Sequence, residues 1–93
     1  MIGAMPRVSF TANLRQHVDC PPGQAPGATV RAVLDGVLAG NPRLQSYILD
    51  EQGRVRRHVN IFVNERQVAD RLALSDPVCE DDEIFIFQAL SGG

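Results

Sequence analysis

Apolar and polar residues alternate along several short segments of this 93-residue chain, and such alternation is typical of half-buried β-strands. Near the beginning of the chain, Val8, Phe10 and Ala12 alternate with polar neighbours. Segment 59–63 is the clearest example, because a valine or an isoleucine stands at every second position and predicts one buried face. Segment 84–87 is apolar at every position, which is typical of a strand at the centre of a sheet, or of one whose second face meets a partner.

A helical pattern lies between these strands. Apolar residues from Val30 to Leu38 recur at intervals of three and four, and Thr29 directly precedes them as the predicted N-cap. Segment 40–42, Gly-Asn-Pro, is predicted to end the helix, because a glycine followed by a proline is typical of helix C-termini. The apolar residues of segment 44–49 predict a further turn of helix and then a short strand.

Turns and loops separate the predicted elements. Segment 19–27 holds three prolines and two glycines and is predicted to be a loop, with any second strand beside it very short. Further turns are predicted at 50–53, at 64–66 and at the acidic segment 80–83. The order of strand, loop, helix and several later strands predicts an α+β fold, in which a helix lies across a mixed sheet.

Length and composition restrict the class of protein. The chain suffices for one small domain, and its 44% hydrophobic and 22% charged content is that of an ordinary globular protein. Its formal net charge of −2 supplies no electrostatic reason to expect nucleic acid or an anionic membrane as a partner. No segment is long and apolar enough to span a bilayer, and the first residues lack a signal-peptide pattern, so we expect a cytoplasmic protein.

The polar residues offer little chemistry of their own. Cys20 and Cys79 form no CxxC motif and no cluster with metal-ligand spacing, so we expect neither a metal site nor a disulfide framework. His17 and His58 stand far apart, no motif supplies them with a nucleophile, and no catalytic residue is predicted. The basic residues of segment 54–58 follow a predicted turn and are interpreted as a solvated hairpin tip.

The C-terminal residues are the strongest functional feature. Gly92 and Gly93 follow the last predicted strand through a short run, 88–91. Glycine lacks a Cβ, so an arm that ends in Gly-Gly fits a narrow channel, and a partner enzyme can reach its terminal carboxylate without unfolding the domain. A frayed terminus or a cloning remnant is the alternative interpretation of the same two residues.

Two stretches carry a resemblance to a known family: VNIFVN at 59–64 and IFIFQALSGG at 84–93. Both are similar to the ThiS/MoaD-type sulfur carrier proteins, and the order of elements extends the resemblance over nearly the whole chain. RRHVNIFVNERQV at 56–68 is most similar to the branch that serves cysteine synthesis. The resemblance implies a ubiquitin-like β-grasp domain over residues 1–93, with a mixed sheet of four or five strands, one main helix across it and a flexible tail at 88–93.

The chemistry of that family implies roles for the tail. An E1-like enzyme uses ATP to adenylate the terminal carboxylate, a persulfide or sulfide source converts the adenylate into a thiocarboxylate, and a sulfur-accepting synthase takes the sulfur. In this chain Gly93 would carry the adenylate and then the thiocarboxylate, and Gly92 would let the tail enter both active sites. Ala89, Leu90 and Ser91 complete the tail. The domain is then a protein cosubstrate that binds no cofactor, and it is not itself an enzyme.

Alternation also predicts where a partner binds. If the valines and isoleucines of the two clearest strands face the helix, Phe62, Phe85 and Phe87 share the outer face of the sheet and form an apolar patch beside the tail. In the opposite arrangement Phe85 and Phe87 are core residues and the isoleucines face outward. The acidic segment 80–83 is expected near the base of the tail, where it either meets a basic rim on the partner or remains solvated.

Two turns depart from the pattern of the family. Asn64-Glu65 stands where Asn-Gly is frequent, so the turn after segment 59–63 is expected to be of another type or slightly longer. Asp81-Asp82 stands where a glycine often precedes the last strand. Aspartate tolerates a left-handed backbone moderately well, so this turn is expected to persist.

Several functions remain open at this point. The sulfur acceptor can belong to the synthesis of cysteine, molybdopterin, thiamin thiazole or a secondary metabolite. A ubiquitin-like modifier that forms an isopeptide through Gly93 needs the same adenylation, and the small subunit of a molybdopterin synthase-type complex needs the same tail. The fourth alternative is a binding module whose Gly-Gly ending is incidental.

Overall fold

The computed structural model describes residues 5–11 and 22–88. These residues form strands and helices in the order β1 Arg7–Phe10, β2 Gly23–Gln24, α1 Val30–Leu38, α2 Pro42–Ile48, β3 Val59–Val63, β4 Arg66–Gln67 and β5 Glu83–Gln88. The strands form one sheet in the order β2-β1-β5-β3-β4, in which β1 and β5 are parallel and the other neighbours are antiparallel. This mixed sheet with its helices confirms the predicted α+β, ubiquitin-like β-grasp fold.

One face of the sheet is buried in the core. Every second residue of β3 is at most 2% exposed, and Ile84 and Ile86 in β5 are fully buried. Helix α1 contributes the predicted apolar stripe, whose buried members are Val30, Val33, Leu34 and Leu38. Alternation in the sequence identified this face correctly, because successive side chains of a strand point to opposite sides.

Both helices begin at a polar cap. The hydroxyl of Thr29 accepts a hydrogen bond from the Ala32 N–H at 3.2 Å, which confirms its predicted role. The side-chain oxygen of Asn41 accepts one from the Leu44 N–H at 3.2 Å, and Pro42 stands in the first turn of α2. The Gly-Asn-Pro segment therefore ends α1 as predicted but also begins a second helix. Proline is favourable there because the N–H that it lacks has no partner in a first turn.

Some predicted features fall outside the described residues. Ala12 of the predicted first strand is one of them, and so are residues 89–93 of the predicted tail. The prediction that the tail begins at Gln88 is wrong, because Gln88 pairs with Val59 as the last residue of β5. The single domain over residues 1–93 accordingly stays a prediction. The Pro/Gly-rich loop is described from Pro22 onward, where the two residues of β2 pair with β1.

Side-chain hydrogen bonds build the turns at the beginning of β5. Asn64 has a φ of 56° whereas Glu65 is not left-handed, so the β3–β4 turn is of another type than I′, as predicted. The turn before β5 persists without a left-handed residue at Asp81 or Asp82. Instead, the Asp82 carboxylate accepts hydrogen bonds from the Cys79 N–H at 2.8 Å and from Asn64 Nδ2 at 3.0 Å. These two bonds, that of Cys79 first, lower the pKa of Asp82 from its ordinary value.

Candidate partner-binding face and the base of the tail

The tail follows the last residue of β5, which is the central strand of the sheet. Gln88 ends β5, pairs with Val59 of β3 and is the last described residue. Strand β5 has β1 on one side and β3 on the other, so the chain enters segment 89–93 from a strand with hydrogen-bonded neighbours on both edges. At Gln88 itself the described neighbour is β3, so the tail begins from a residue that is paired within the sheet.

Three phenylalanines, the phenylalanine patch, lie on the outer face of the sheet. Phe62 is directly opposite Phe85 in the register of β3 and β5. The rings of Phe62 and Phe87 stack, with centroids 5.3 Å apart and planes 21° apart. Phe85 is 37% exposed while Ile84 and Ile86 are fully buried, which excludes the arrangement with the isoleucines outside. The outward orientation is as predicted, and the use of this patch by a partner stays a prediction.

Polar residues surround the phenylalanine patch. The strand register places Arg7 and Ser9 beside it on β1, and Asn60 and Gln67 on the opposite side. Gln67 Nε2 donates a hydrogen bond to Asn60 Oδ1 at 3.4 Å. An apolar centre with a polar rim is the usual anatomy of a protein–protein interface.

The acidic segment 80–83 lies at the far end of β5 from the tail. Strand β5 has six residues, so its two ends are about 17 Å apart at the rise of an extended strand. The expectation that these carboxylates lie near the base of the tail is therefore wrong, because they precede the strand and the tail follows it. The carboxylate of Asp82 is already used inside its own turn.

Basic residues occupy the end of the sheet where the tail begins. Strand β3 runs antiparallel to β5, so segment 54–58, which leads into β3, lies at the end of the sheet that contains Gln88. Arg54 and Arg57 line an open groove there, and Arg71 joins them from a later loop. The interpretation of this segment as a solvated hairpin tip did not include its position beside the base of the tail. The antiparallel pairing of the last strand with β3 is the signal that could have revealed it.

Comparison with known proteins assigns this arrangement to a family. The model of the ThiS family matches residues 8–93, from the first strand to the terminal Gly93. The chain belongs to the ThiS family. The family match thus includes both the phenylalanine patch and the Gly-Gly tail, although the tail itself lies outside the described residues.

One relative of this ThiS-family chain is named a sulfur carrier protein, and another is named a modifier protein. The sulfur carrier protein CysO of Mycobacterium tuberculosis is 30% identical over 92 residues, which cover 92% of this chain and 96% of that protein. Small archaeal modifier protein 1 of Haloferax volcanii is 30% identical over 66 residues, which cover 71% of each chain. Both names describe small carrier or modifier proteins rather than catalysts.

A solved structure shares the fold of this ThiS-family chain. A chain in the crystal structure of the Amycolatopsis orientalis BexX/CysO complex superposes with a TM-score of 0.75 at 28% identity. The match covers 94% of this chain and 98% of that one. A protein of this fold has thus been solved in a complex that contains a second protein.

An exposed leucine stands on a loop that internal hydrogen bonds hold in place. The Asp70 carboxylate accepts hydrogen bonds from the Ser75 hydroxyl at 2.6 Å and from the N–H groups of Leu72 and Ala73 at 3.1 and 3.0 Å. These bonds, that of the Ser75 hydroxyl first, lower the pKa of Asp70 to about 2. Leu74 anchors the loop in the core with a φ of 56°, while Leu72 is 66% exposed.

The described part of the chain contains one imidazole, that of His58, and one thiol, that of Cys79. The ring of His58 lies edge-on to the ring of Tyr47 in α2, with centroids 5.7 Å apart. Cys79 is an exposed free thiol at the acidic end of the sheet, and His17 and Cys20 fall outside the described residues. Within residues 5–11 and 22–88, no three His, Cys, Asp or Glu side chains gather as metal ligands, and no helix is long and apolar enough to cross a bilayer.

Proposed function

We propose that this chain is a sulfur carrier whose terminal Gly93 is activated and then holds sulfur as a thiocarboxylate. The observation that carries the proposal is the ThiS-family match, which continues to Gly93 itself. The 30% identity to CysO over 92% of this chain supports the same function. The sulfur serves a biosynthetic pathway in the cytoplasm, with cysteine, a cofactor or a metabolite as its destination.

The proposed reaction has two substitution steps. On an E1-like enzyme, a carboxylate oxygen of Gly93 attacks the α-phosphate of ATP, and pyrophosphate leaves. Hydrosulfide from a sulfur donor then attacks the carbonyl carbon of the acyl-adenylate, and AMP leaves. Adenylation is required because a carboxylate is a poor electrophile without a good leaving group. A synthase then uses the thiocarboxylate sulfur as its nucleophile.

The domain contributes presentation of the tail and recognition of the partners. Gly92 has no side chain, so the last residues fit a narrow channel that leads to the activating site. The phenylalanine patch lies on the same sheet as the base of the tail, and Phe85 offers exposed apolar area to a partner surface. The ATP belongs to the activating enzyme, and the carrier itself holds no cofactor in this proposal.

Intact-mass spectrometry tests the proposal directly. The full chain is incubated with ATP, a sulfide source and the E1-like enzyme of the same organism. The expected result is a mass increase equal to the replacement of one oxygen by sulfur. A variant without Gly93 keeps the whole described sheet and is expected to show no increase. Unchanged mass in the full chain, with no pyrophosphate release, would contradict the proposal.

A protein modifier is the second candidate function. It is favoured by the relative from Haloferax volcanii, which is named a small archaeal modifier protein and covers 71% of this chain. Modification and sulfur transfer share the adenylation of Gly93, so activation alone does not separate them. Expression of a tagged chain in its own organism does: a ladder of covalent conjugates that disappears without Gly93 indicates a modifier, and thiocarboxylate without conjugates indicates a carrier.

A further inference from the structure

A basic groove, the tail-side groove, opens beside the base of the tail. Its volume is about 450 Å³, and the residues that line it are Asp50, Arg54, Val55, Arg57, Asn60, Arg71 and Leu72. Asn60 pairs with Phe87, the residue just before the last described one. The groove therefore borders both the phenylalanine patch and the point where the tail leaves the sheet.

The arginines of the groove carry charge that the described part of the chain does not fully neutralise. Arg54 Nε forms an ion pair with Asp50 Oδ2 at 3.0 Å. Arg71 donates a hydrogen bond to the carbonyl oxygen of Arg56 at 2.8 Å, which orients its guanidinium without neutralising it. Neither Arg57 nor Arg71 forms a salt bridge with any described residue. The groove is thus positive although the whole chain has a formal net charge of −2.

The one carboxylate in the groove is already engaged. Asp50 accepts hydrogen bonds from the N–H groups of Arg54 and Gln52, both at 2.9 Å, in addition to its ion pair. The hydrogen bond from the Arg54 N–H is the main reason that the pKa of Asp50 lies below its ordinary value. Glu51 lies in the same turn and is exposed, but it does not line the groove.

An apolar contact stands beside these charges. Leu72 is 66% exposed, the largest exposed fraction among the described large apolar residues, and the Asp70 hydrogen bonds hold its loop. The guanidinium of Arg31 further fastens this loop to the neighbouring turn by donating to the carbonyls of Ala73 and Gly53. Leu72 is thus presented at a fixed place and is not the tip of a loose loop.

From this arrangement we propose that the tail-side groove binds an acidic segment of the adenylating enzyme that also carries an apolar side chain. Arginine guanidinium groups match carboxylates in a forked geometry, and Leu72 supplies the apolar contact that a free phosphate would not need. Any enzyme that takes the tail must approach the end of the sheet that holds the groove. The inference rests on the proposed function only in the choice of this partner.

Isothermal titration calorimetry of the full chain with the E1-like enzyme, without ATP, tests the groove. Arg57 is exposed and has no described salt bridge, so Arg57→Glu changes charge without removing a structural bond. It is expected to weaken binding about tenfold or more, because a like charge then faces the acidic segment. Arg57→Lys keeps the charge but loses the forked donor geometry, so it is expected to weaken binding, by less than Arg57→Glu does.

Two further variants separate the groove from general charge. Arg43→Glu makes the same change of net charge at an exposed position of α2, outside the groove, and is expected to alter affinity less than about twofold. Leu72→Ala removes the apolar contact and is expected to weaken binding about tenfold. The loss caused by Arg57→Glu is also expected to shrink at high salt, because salt screens exposed charges.

Other outcomes overturn the inference. Equal effects of Arg57→Glu and Arg43→Glu would mean that only net charge matters. Tighter binding by Arg57→Glu would mean that the groove holds the carboxylate of the chain's own tail. No binding of the wild type would remove the proposed partner. Pyrophosphate release on mixing with ATP tests the proposed function separately. If the wild type releases pyrophosphate but Arg57→Glu leaves the binding affinity unchanged, the inference about the groove is wrong and the proposed function stands.

Discussion

Neighbouring residues of β5 belong to two different surfaces. Ile84 and Ile86 have no exposed area, whereas Phe85 between them is 37% exposed and Phe87 stacks on Phe62. The isoleucines pack in the core, and the phenylalanines form an apolar surface that the core does not bury completely. One central strand can therefore hold the domain together and offer a docking surface at the same time, because its side chains alternate.

The inner face is expected to give the largest loss of stability. Ile86→Ala leaves a cavity in the core between the sheet and the helices and should lower the free energy of unfolding by about 2–5 kcal/mol. Urea denaturation followed by circular dichroism measures this. Should the variant not fold, Ile86→Val is expected to lose about 0.5–1.5 kcal/mol and to preserve the fold. If Ile86→Ala lowered the free energy of unfolding no more than Phe85→Ala on the outer face, the distinction between the two faces would be wrong.

The outer face is expected to show the reverse pattern. Phe85→Ala should cost less stability than Ile86→Ala, since Phe85 is 37% exposed and Ile86 is fully buried, yet should weaken binding to the adenylating enzyme about tenfold or more if the patch is the docking surface. Arg43 is exposed on α2, outside the patch, and Arg43→Ala is the control, expected to change neither quantity appreciably. Unchanged affinity in Phe85→Ala would exclude this part of the patch from the interface.

Charges at the acidic end of the sheet are expected to serve the fold and not the partner. Asp82→Ala removes the acceptor that joins two turns and should cost about 1 kcal/mol, similar to a lost helix cap. Its neighbour Asp81 is exposed and makes no described hydrogen bond, so Asp81→Ala should stay within about 0.5 kcal/mol of the wild type. Both variants should bind the adenylating enzyme normally, and a binding defect in either would bring this end into the interface.

Asp70 is expected to make the stability of the fold depend on pH. Its pKa is lowered from 3.8 to about 2 in the folded chain, so its ionised form stabilises the fold above about pH 4, and this contribution disappears as the pH falls through about 2. Asp70→Asn should lower the melting temperature at neutral pH, and its difference from the wild type should narrow on acidification. A constant difference from pH 7 to pH 2 would show that the charge contributes nothing.

Local sequence patterns were sufficient to predict much of the fold and the outward orientation of the phenylalanine patch. Alternation identified the buried face and the outward phenylalanines, and Thr29 revealed the start of the main helix, because strand and helix periodicity is expressed within a few residues. The second helix was only partly foreseen, since the Gly-Asn-Pro segment carries the signals of a helix end and of a helix start together. The Gly-Gly ending predicts the reactive group, and this role of Gly93 stays a prediction within a ThiS-family match that includes the residue.

The sequence by itself determined the main helix, the clearest strands, the two faces of the sheet and the membership of the ThiS family, because each of these is carried by residue types and spacings along the chain. Only the tertiary structure decided which segments share an end of the sheet. Strand β3 runs antiparallel to β5, so Arg57 lies at the end where the tail begins, and segment 80–83 lies about 17 Å away. Arg71 and Leu72 join that groove through a loop closed by Asp70 hydrogen bonds, a contact between distant segments that no local periodicity encodes.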